Sequence, residues 1–290
     1  MGICYGDQGR MGKAMGKFIE AKAAFEDDGA TQTAGYAKLL VQIGIWYGMQ
    51  EQKLEEMEKY KEAQKVYRRA AIGGREYAGL LKNMGIWFME QQQMPEAMEK
   101  FQEAQSQYIS SEATKSTNYA GLLTSMGKWL LQSGLREDAM EKFQAAKVIY
   151  EATDEAPMGY AGLLMMMGGL HRSHEDSKAA RDCFEKAQGV FESAGGTMTT
   201  EYLGLLAQMA SCAYEQGNYT AALKKYTEAQ TAYQAHVHVS RVLGSLRRLA
   251  GWTPRAMPGC CKALLDPGKM LFVKHCKARP SGGVQQDGLA

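Results

Sequence analysis

The chain has 290 residues, of which 45% are hydrophobic and 23% charged, a balance that excludes a disordered polymer and allows one or two folded domains. No apolar run approaches the roughly 20 residues that a membrane-spanning helix requires, and the N-terminus shows no apolar stretch of a secretory signal, so the expected compartment is the cytoplasm. The formal net charge of +2 conceals an asymmetry: residues 241–290 hold nine Lys and Arg against Asp266 and Asp287, whereas 1–240 hold 25 basic against 30 acidic residues.

The first predicted element is a helix over 12–27. Its residues Ala14, Phe18 and Ala21 align with Glu56, Tyr60 and Ala63 of the following unit, so the chain begins inside a structural unit, 1–35. Most of that unit's first helix is missing. The 12–27 helix is therefore expected to expose an apolar flank, and an uncapped end of this kind offers a surface for self-association or for a longer array.

From residue 36 the chain repeats itself. "YAGLLKNMG" occupies 77–85, "YAGLLTSMG" 119–127 and "YAGLLMMMG" 160–168. Tyr36, Tyr77, Tyr119, Tyr160 and Tyr202 follow one another at steps of 41 or 42, and Phe18, Tyr60, Phe101, Phe143, Phe184 and Tyr226 do the same. Two ladders of one period divide the chain into units 36–76, 77–118, 119–159, 160–201 and 202–241.

Each unit reads as two helices. Tyr77, Leu81, Met84 and Phe88 lie on one helical face. The polar break "EQQQMP" follows, with Pro95 suited to a first helical turn. Ala97, Phe101, Ala104 and Tyr108 then form the apolar stripe of a second helix. Gly44, Gly85, Gly127, Gly168 and Ala210 recur late in the first helix, and Ala97, Ala139, Ala180 and Ala222 stand twelve residues after the last four of them. Glycine inside a helix is about 1 kcal/mol worse than alanine, so its recurrence predicts close helix–helix approach. Glu56 stands where other units have Ala, which predicts a shifted or looser second helix there. "VLGSLRRLAGW" (242–252) lays over "YAGLLKNMGIW" as a decayed capping helix, and 253–290, basic and containing Pro, Gly and Cys, reads as a disordered tail.

On these residues the pattern L-x-x-[MI]-G…A-x-x-x-[FY]-x-x-A resembles the tetratricopeptide repeat, over about residues 1–252, in the longer variety found in kinesin light chains. The resemblance implies an all-α, right-handed α-α superhelix (solenoid) of stacked helix–turn–helix repeats. It also implies that first helices line a concave groove, which here would carry Lys38, Val41, Ile45, Lys82, Ile86, Thr124, Lys128, Met165, Gln208 and Ser211. Such a lining suits a peptide or helical segment of another protein with hydrophobic anchors and some acidic residues. The implied role is a non-catalytic scaffold or adaptor, a cargo linker being one version. The two-carboxylate clamp by which some family members grip chaperone tails is not reproduced in consecutive units.

Candidate chemistry is sparse. His171, His174 and Cys183, or His236, His238, Cys260, Cys261, His275 and Cys276, match no familiar zinc spacing. No GxSxG, P-loop or GxGxxG motif is present, so neither an enzyme nor a cofactor is expected. No cysteine pair has CxxC spacing, which points to reduced thiols, and Cys260–Cys261 beside basic residues could accept a palmitoyl group. Trp46, Trp87 and Trp129 read as packing between hairpins, with an exposed ladder for ligand stacking as the sharper alternative. The basic 241–290 segment supports an alternative scaffold role on nucleic acid, against which the acidic repeats argue.

Overall fold

The computed structural model describes the backbone of residues 11–153 and 155–249, and side chains from 14 to 234 with 154 excepted. The chain divides into Met1–Thr253 and Pro254–Ala290. The second unit, and with it the tail, Cys260, Cys261, His275 and Cys276, lies outside the described residues, as do the side chains of His236 and His238.

Among the described residues every regular element is a helix: α1 Met11–Asp27, α2 Ala34–Met49, α3 Lys53–Arg69, α4 Arg75–Glu90, α5 Met94–Ser110, α6 Thr117–Gln132, α7 Arg136–Thr153, α8 Pro157–Ser173, α9 Ser177–Ser193, α10 Thr200–Glu215 and α11 Tyr219–Leu249. They form a right-handed superhelix of hairpins α2–α3, α4–α5, α6–α7, α8–α9 and α10–α11. Consecutive first helices (α2, α4, α6, α8, α10) also pack on one another, whereas consecutive second helices make no comparably close pairing. First helices therefore form the inner layer and second helices the outer one.

Local chemistry sets the boundaries. Thr33, Ser116 and Thr199 cap α2, α6 and α10, their hydroxyls accepting from the N–H groups of Tyr36, Tyr119 and Tyr202 at 3.2–3.3 Å. The turn inside each hairpin places one residue in the left-handed region: Glu51, Gln92, Gly134, Glu175 and Gly217. The N–H of the residue directly after it reaches back to satisfy a carbonyl five residues earlier, as in Gln52 to Tyr47 and Leu135 to Leu130.

Packing explains the recurring small residues. A Cβ on Gly44, Gly85, Gly127 or Gly168 would lie within 2.7 Å of two ring carbons of Tyr60, Phe101, Phe143 or Phe184 respectively. Each glycine is thus the hollow into which the second helix's aromatic ring fits. A further ladder joins one hairpin to the next. Phe25, Tyr67, Tyr108, Tyr150 and Phe191 meet Tyr36, Tyr77, Tyr119, Tyr160 and Tyr202 with ring centroids 5.3–5.9 Å apart. This is why the tyrosine opening each repeated stretch recurs: it closes the seam between units.

On α1, Ala14 and Phe18 are buried against Ile43 of α2, while Ile19 of the same helix is exposed. Two expectations are corrected. The α3 helix is neither shifted nor loose, since Tyr60 meets Gly44 as Phe101 meets Gly85. Glu56 fits because Gly48 faces it: a Cβ there would lie 2.6 Å from Oε1 of Glu56, whereas the matching positions in α4 and α5 are Met89 and Ala97. Although only 8% exposed, the Glu56 carboxylate accepts from Tyr60 Oη at 3.1 Å and Lys53 Nζ at 3.2 Å. Burial, and then Glu56 beside it, push the Tyr60 hydroxyl pKa upward. Lastly, α11 runs unbroken for 31 residues, so 242–249 prolong it instead of forming a separate capping helix. Residues 230–240 contain no Gly or Pro to turn the chain, unlike the "AAIGG" of 70–74 or the "AGGTMT" of 194–199.

Candidate functional site

The inner layer is built from first-helix positions that the core does not use. Of the residues expected there, Lys38 and Lys128 are exposed and enter no ion pair. Ile45 and Ile86 are half-buried against the core of the first hairpins. Val41 is only 8% exposed and belongs to that core, because its helix face turns toward α4; it does not line an open groove. The Thr124 hydroxyl is occupied, donating to the Ala120 carbonyl at 2.8 Å. The Ser211 hydroxyl donates to Ala207 O at 3.0 Å and lies 3.4 Å from Tyr226 Oη.

Lys82 differs from its neighbours. Its side chain enters no hydrogen bond or ion pair, and its Nζ lies 3.7 Å from where a Cβ on Gly121 of α6 would stand. Met165 takes the matching place over Gly204, its Cε 3.9 Å from the Cβ position there, and Gln208 Oε1 lies 3.8 Å from that of Gly169. The long side chain of one first helix thus crosses to the next, and these crossings make the floor of the inner face. Val41 and Thr124 hold the same register but do not reach, so a Cβ on Gly79 or Gly162 would meet nothing within 4 Å.

Burial with no compensating carboxylate lowers the Lys82 pKa from 10.5. A depressed lysine pKa destabilises the folded chain while the group is protonated in both states. As pH rises through the lowered value toward 10.5, the unfolded chain retains a proton that the folded chain has released, so stability increases across that window. Urea unfolding of wild type and Lys82→Met should show the variant more stable at neutral pH, with the gap narrowing as the pH approaches 10.5. A gap that stays constant with pH would refute the desolvated ammonium.

The tryptophans belong to the packing and form no ligand ladder. Trp87 Nε1 donates to Lys53 O at 2.9 Å, and Trp129 Nε1 donates to Met94 O at 2.8 Å, so each indole ties a first helix to the second helix before it. Cys183 packs against the core of α7 and α8, and burial pushes its thiol pKa up. His171 sits in the last turn of α8 with Nδ1 3.8 Å from Asp176. Among the described residues no three His, Cys, Asp or Glu side chains gather as a metal site, and no helix is long and apolar enough to cross a membrane.

Two features escaped the sequence reading. One is the crossing of Lys82 and Met165 over glycines 39 residues downstream, which no single-helix pattern displays. The other is an open hollow of about 970 Å³ lined by Glu192, Met198, Tyr202, Leu223, Lys224 and Glu228 among others, which includes none of the expected groove residues.

No family model and no curated protein matches the sequence. Solved structures do match. BtubC (BKLC) from P. vanneervenii aligns over 97% of this chain and 98% of its own, with TM-score 0.63 and 13% identity. The Rap conjugation gene regulator of plasmid pLS20, solved in complex with the Phr* peptide, aligns over 82% of this chain and 73% of its own, with TM-score 0.59 and 13% identity. The nearly identical TPR-like repeats of a putative kinesin light chain from Podosopora anserina align over 67% and 92%, with TM-score 0.53 and 10% identity. At these identities the likeness concerns the fold, and that fold is the tetratricopeptide-type helical array.

Proposed function

We propose that this chain is a non-catalytic cytoplasmic scaffold whose inner face holds a segment of another polypeptide. The observation that carries the reading is the inner layer itself. Successive first helices present Lys38, Lys82 and Lys128 without carboxylate partners, beside half-buried Ile45 and Ile86. A surface that is part apolar and carries unneutralised positive charge suits a polypeptide with hydrophobic anchors and acidic side chains. The Rap regulator, which has a similar fold, was solved with a peptide bound, in keeping with this use of the architecture. An adaptor that links cargo is one form such a scaffold could take.

The test is affinity capture by the full chain compared with Lys82→Glu/Lys128→Glu, followed by identification of the bound proteins. The double reversal is expected to lose a defined subset of partners while its helical circular dichroism and melting curve stay those of the folded array. An unchanged partner set from a folded variant would remove the inner face from the function.

A further inference from the structure

The last helix is far longer than the others. Second helices α3, α5, α7 and α9 run 17 or 18 residues, whereas α11, Tyr219–Leu249, has 31. It packs along α10, which has 16 residues and runs antiparallel to it. At 1.5 Å per residue, roughly the last 15 residues of α11, about 22 Å, therefore extend past the hairpin. A helix of that length standing alone in water has little stability of its own, so the projection calls for a partner.

The spacing of its residues indicates which partner. Ala232, Ala235, Val239, Val242, Leu246 and Leu249 recur at steps of 3 and 4, the a and d positions of a heptad. By helical pitch this stripe lies on the side of α11 away from Ala222 and Ala229, which pack toward α10, and Ala232 itself lines the open hollow beside the helix. Arg241, Arg247 and Arg248 fall at b and c positions, so the stripe itself carries no charge. Such a seam is matched by a second helix of the same pitch.

Two copies of the stripe fit best when they run antiparallel. Ala232 then meets Leu249, Ala235 meets Leu246, and Val239 meets Val242, so every layer pairs an a with a d position at nearly even volume. The parallel arrangement sets Ala against Ala at one end, leaving voids, and Leu against Leu at the other. Charge sorts the same way. Residues 235–249 hold three arginines and no carboxylate, whereas the hollow at the base of the projection has Glu192 and Glu228 against one ammonium, Lys224. Antiparallel pairing brings the basic end of each helix toward the carboxylates of the other copy, and parallel pairing sets the arginines side by side. It also leaves the two arrays at opposite ends of the paired helices, clear of one another.

We propose that the partner is a second copy of this chain, and that residues 232–249 of two α11 helices pair as an antiparallel coiled coil. The contact is isologous and closes at two copies. About two and a half heptads are a small contact for a permanent dimer, so association is reversible, with a dissociation constant on the order of 10 μM. The result is a bivalent scaffold, two arrays joined by one short rod. The pairing stands whatever the inner faces hold.

Sedimentation equilibrium of the full chain tests it, and wild type is expected to pass from monomer to dimer between about 1 and about 200 μM. Ala235→Glu/Leu246→Glu sets carboxylates face to face across the seam and should weaken association about a hundredfold or more, while the array melts as wild type does. Ala235→Lys/Leu246→Glu faces opposite charges in the antiparallel pair and like charges in a parallel one, so it should keep the dimer. A wild type that stays monomeric at about 200 μM, or one that assembles beyond two copies, would overturn the proposal. So would a dimer that survives Ala235→Glu/Leu246→Glu, or one that is lost in Ala235→Lys/Leu246→Glu. Each of these outcomes leaves the groove reading standing, because the capture experiment on Lys82 and Lys128 reads a different surface.

Discussion

Replacing Gly127 by alanine is expected to destabilise the array by about 2 kcal/mol, although alanine in an unobstructed helix would stabilise it by about 1 kcal/mol. The added methyl would press within 2.7 Å of two ring carbons of Phe143, a ring that is fully buried and has nowhere to move. Overpacking of a filled core usually costs about 1–3 kcal/mol, which outweighs the helix-propensity gain. Because Gly127 lies in a central hairpin, the loss weakens the stacking contacts on both sides. Urea unfolding followed by far-ultraviolet circular dichroism measures it. Shrinking the ring with Phe143→Leu should make the alanine nearly harmless in that background. An alanine variant at least as stable as wild type would mean that the two helices are not held by this contact. The same substitution at Gly79 and Gly162 has the opposite expected sign, so the geometry separates two kinds of glycine.

The second large effect concerns the exchange between Gly48 and Glu56. Gly48→Met alone drives a side chain into the buried carboxylate, with an expected loss of about 2–3 kcal/mol. Glu56→Ala alone leaves a gap and strands the Tyr60 hydroxyl in the core, with a similar loss. Together they rebuild the Met89 and Ala97 pairing of the next hairpin. The double variant should therefore be more stable than the summed single losses predict, by about 2 kcal/mol of coupling. Lys53 would keep its 2.7 Å ion pair with Glu90 of α4, so the junction between hairpins survives the exchange. Strict additivity of the two single losses would show that the positions do not compensate one another.

Much of the architecture was legible without coordinates because every unit solves the same packing problem. Phe101, Phe143 and Phe184 return at one interval since each fills the same hollow, and Gly85, Gly127 and Gly168 return with them. The succession of paired helices among the described residues follows the same recurrence. Departures from the period were harder to read. Glu56 looked like a defect, because its compensating Gly48 lies on another helix and only the facing of α2 and α3 brings the two together. The groove was legible only in outline. Lys82 and Lys128 share a face by helical spacing, yet spacing says nothing about which charges find partners.

Local propensity and periodicity, written along the chain, are enough to specify two-helix units and the face that each must bury. They set the superhelix because an amphipathic hairpin has no other way to cover its apolar side than to lie against its copies. Contacts between residues on different helices were settled by folding: Val41 turned into the core, Thr124 closed on its own backbone, and Lys82 stretched over Gly121 without a counter-charge. Burial and charge compensation depend on distances in space between groups far apart in the chain, and one-dimensional spacing does not contain those distances.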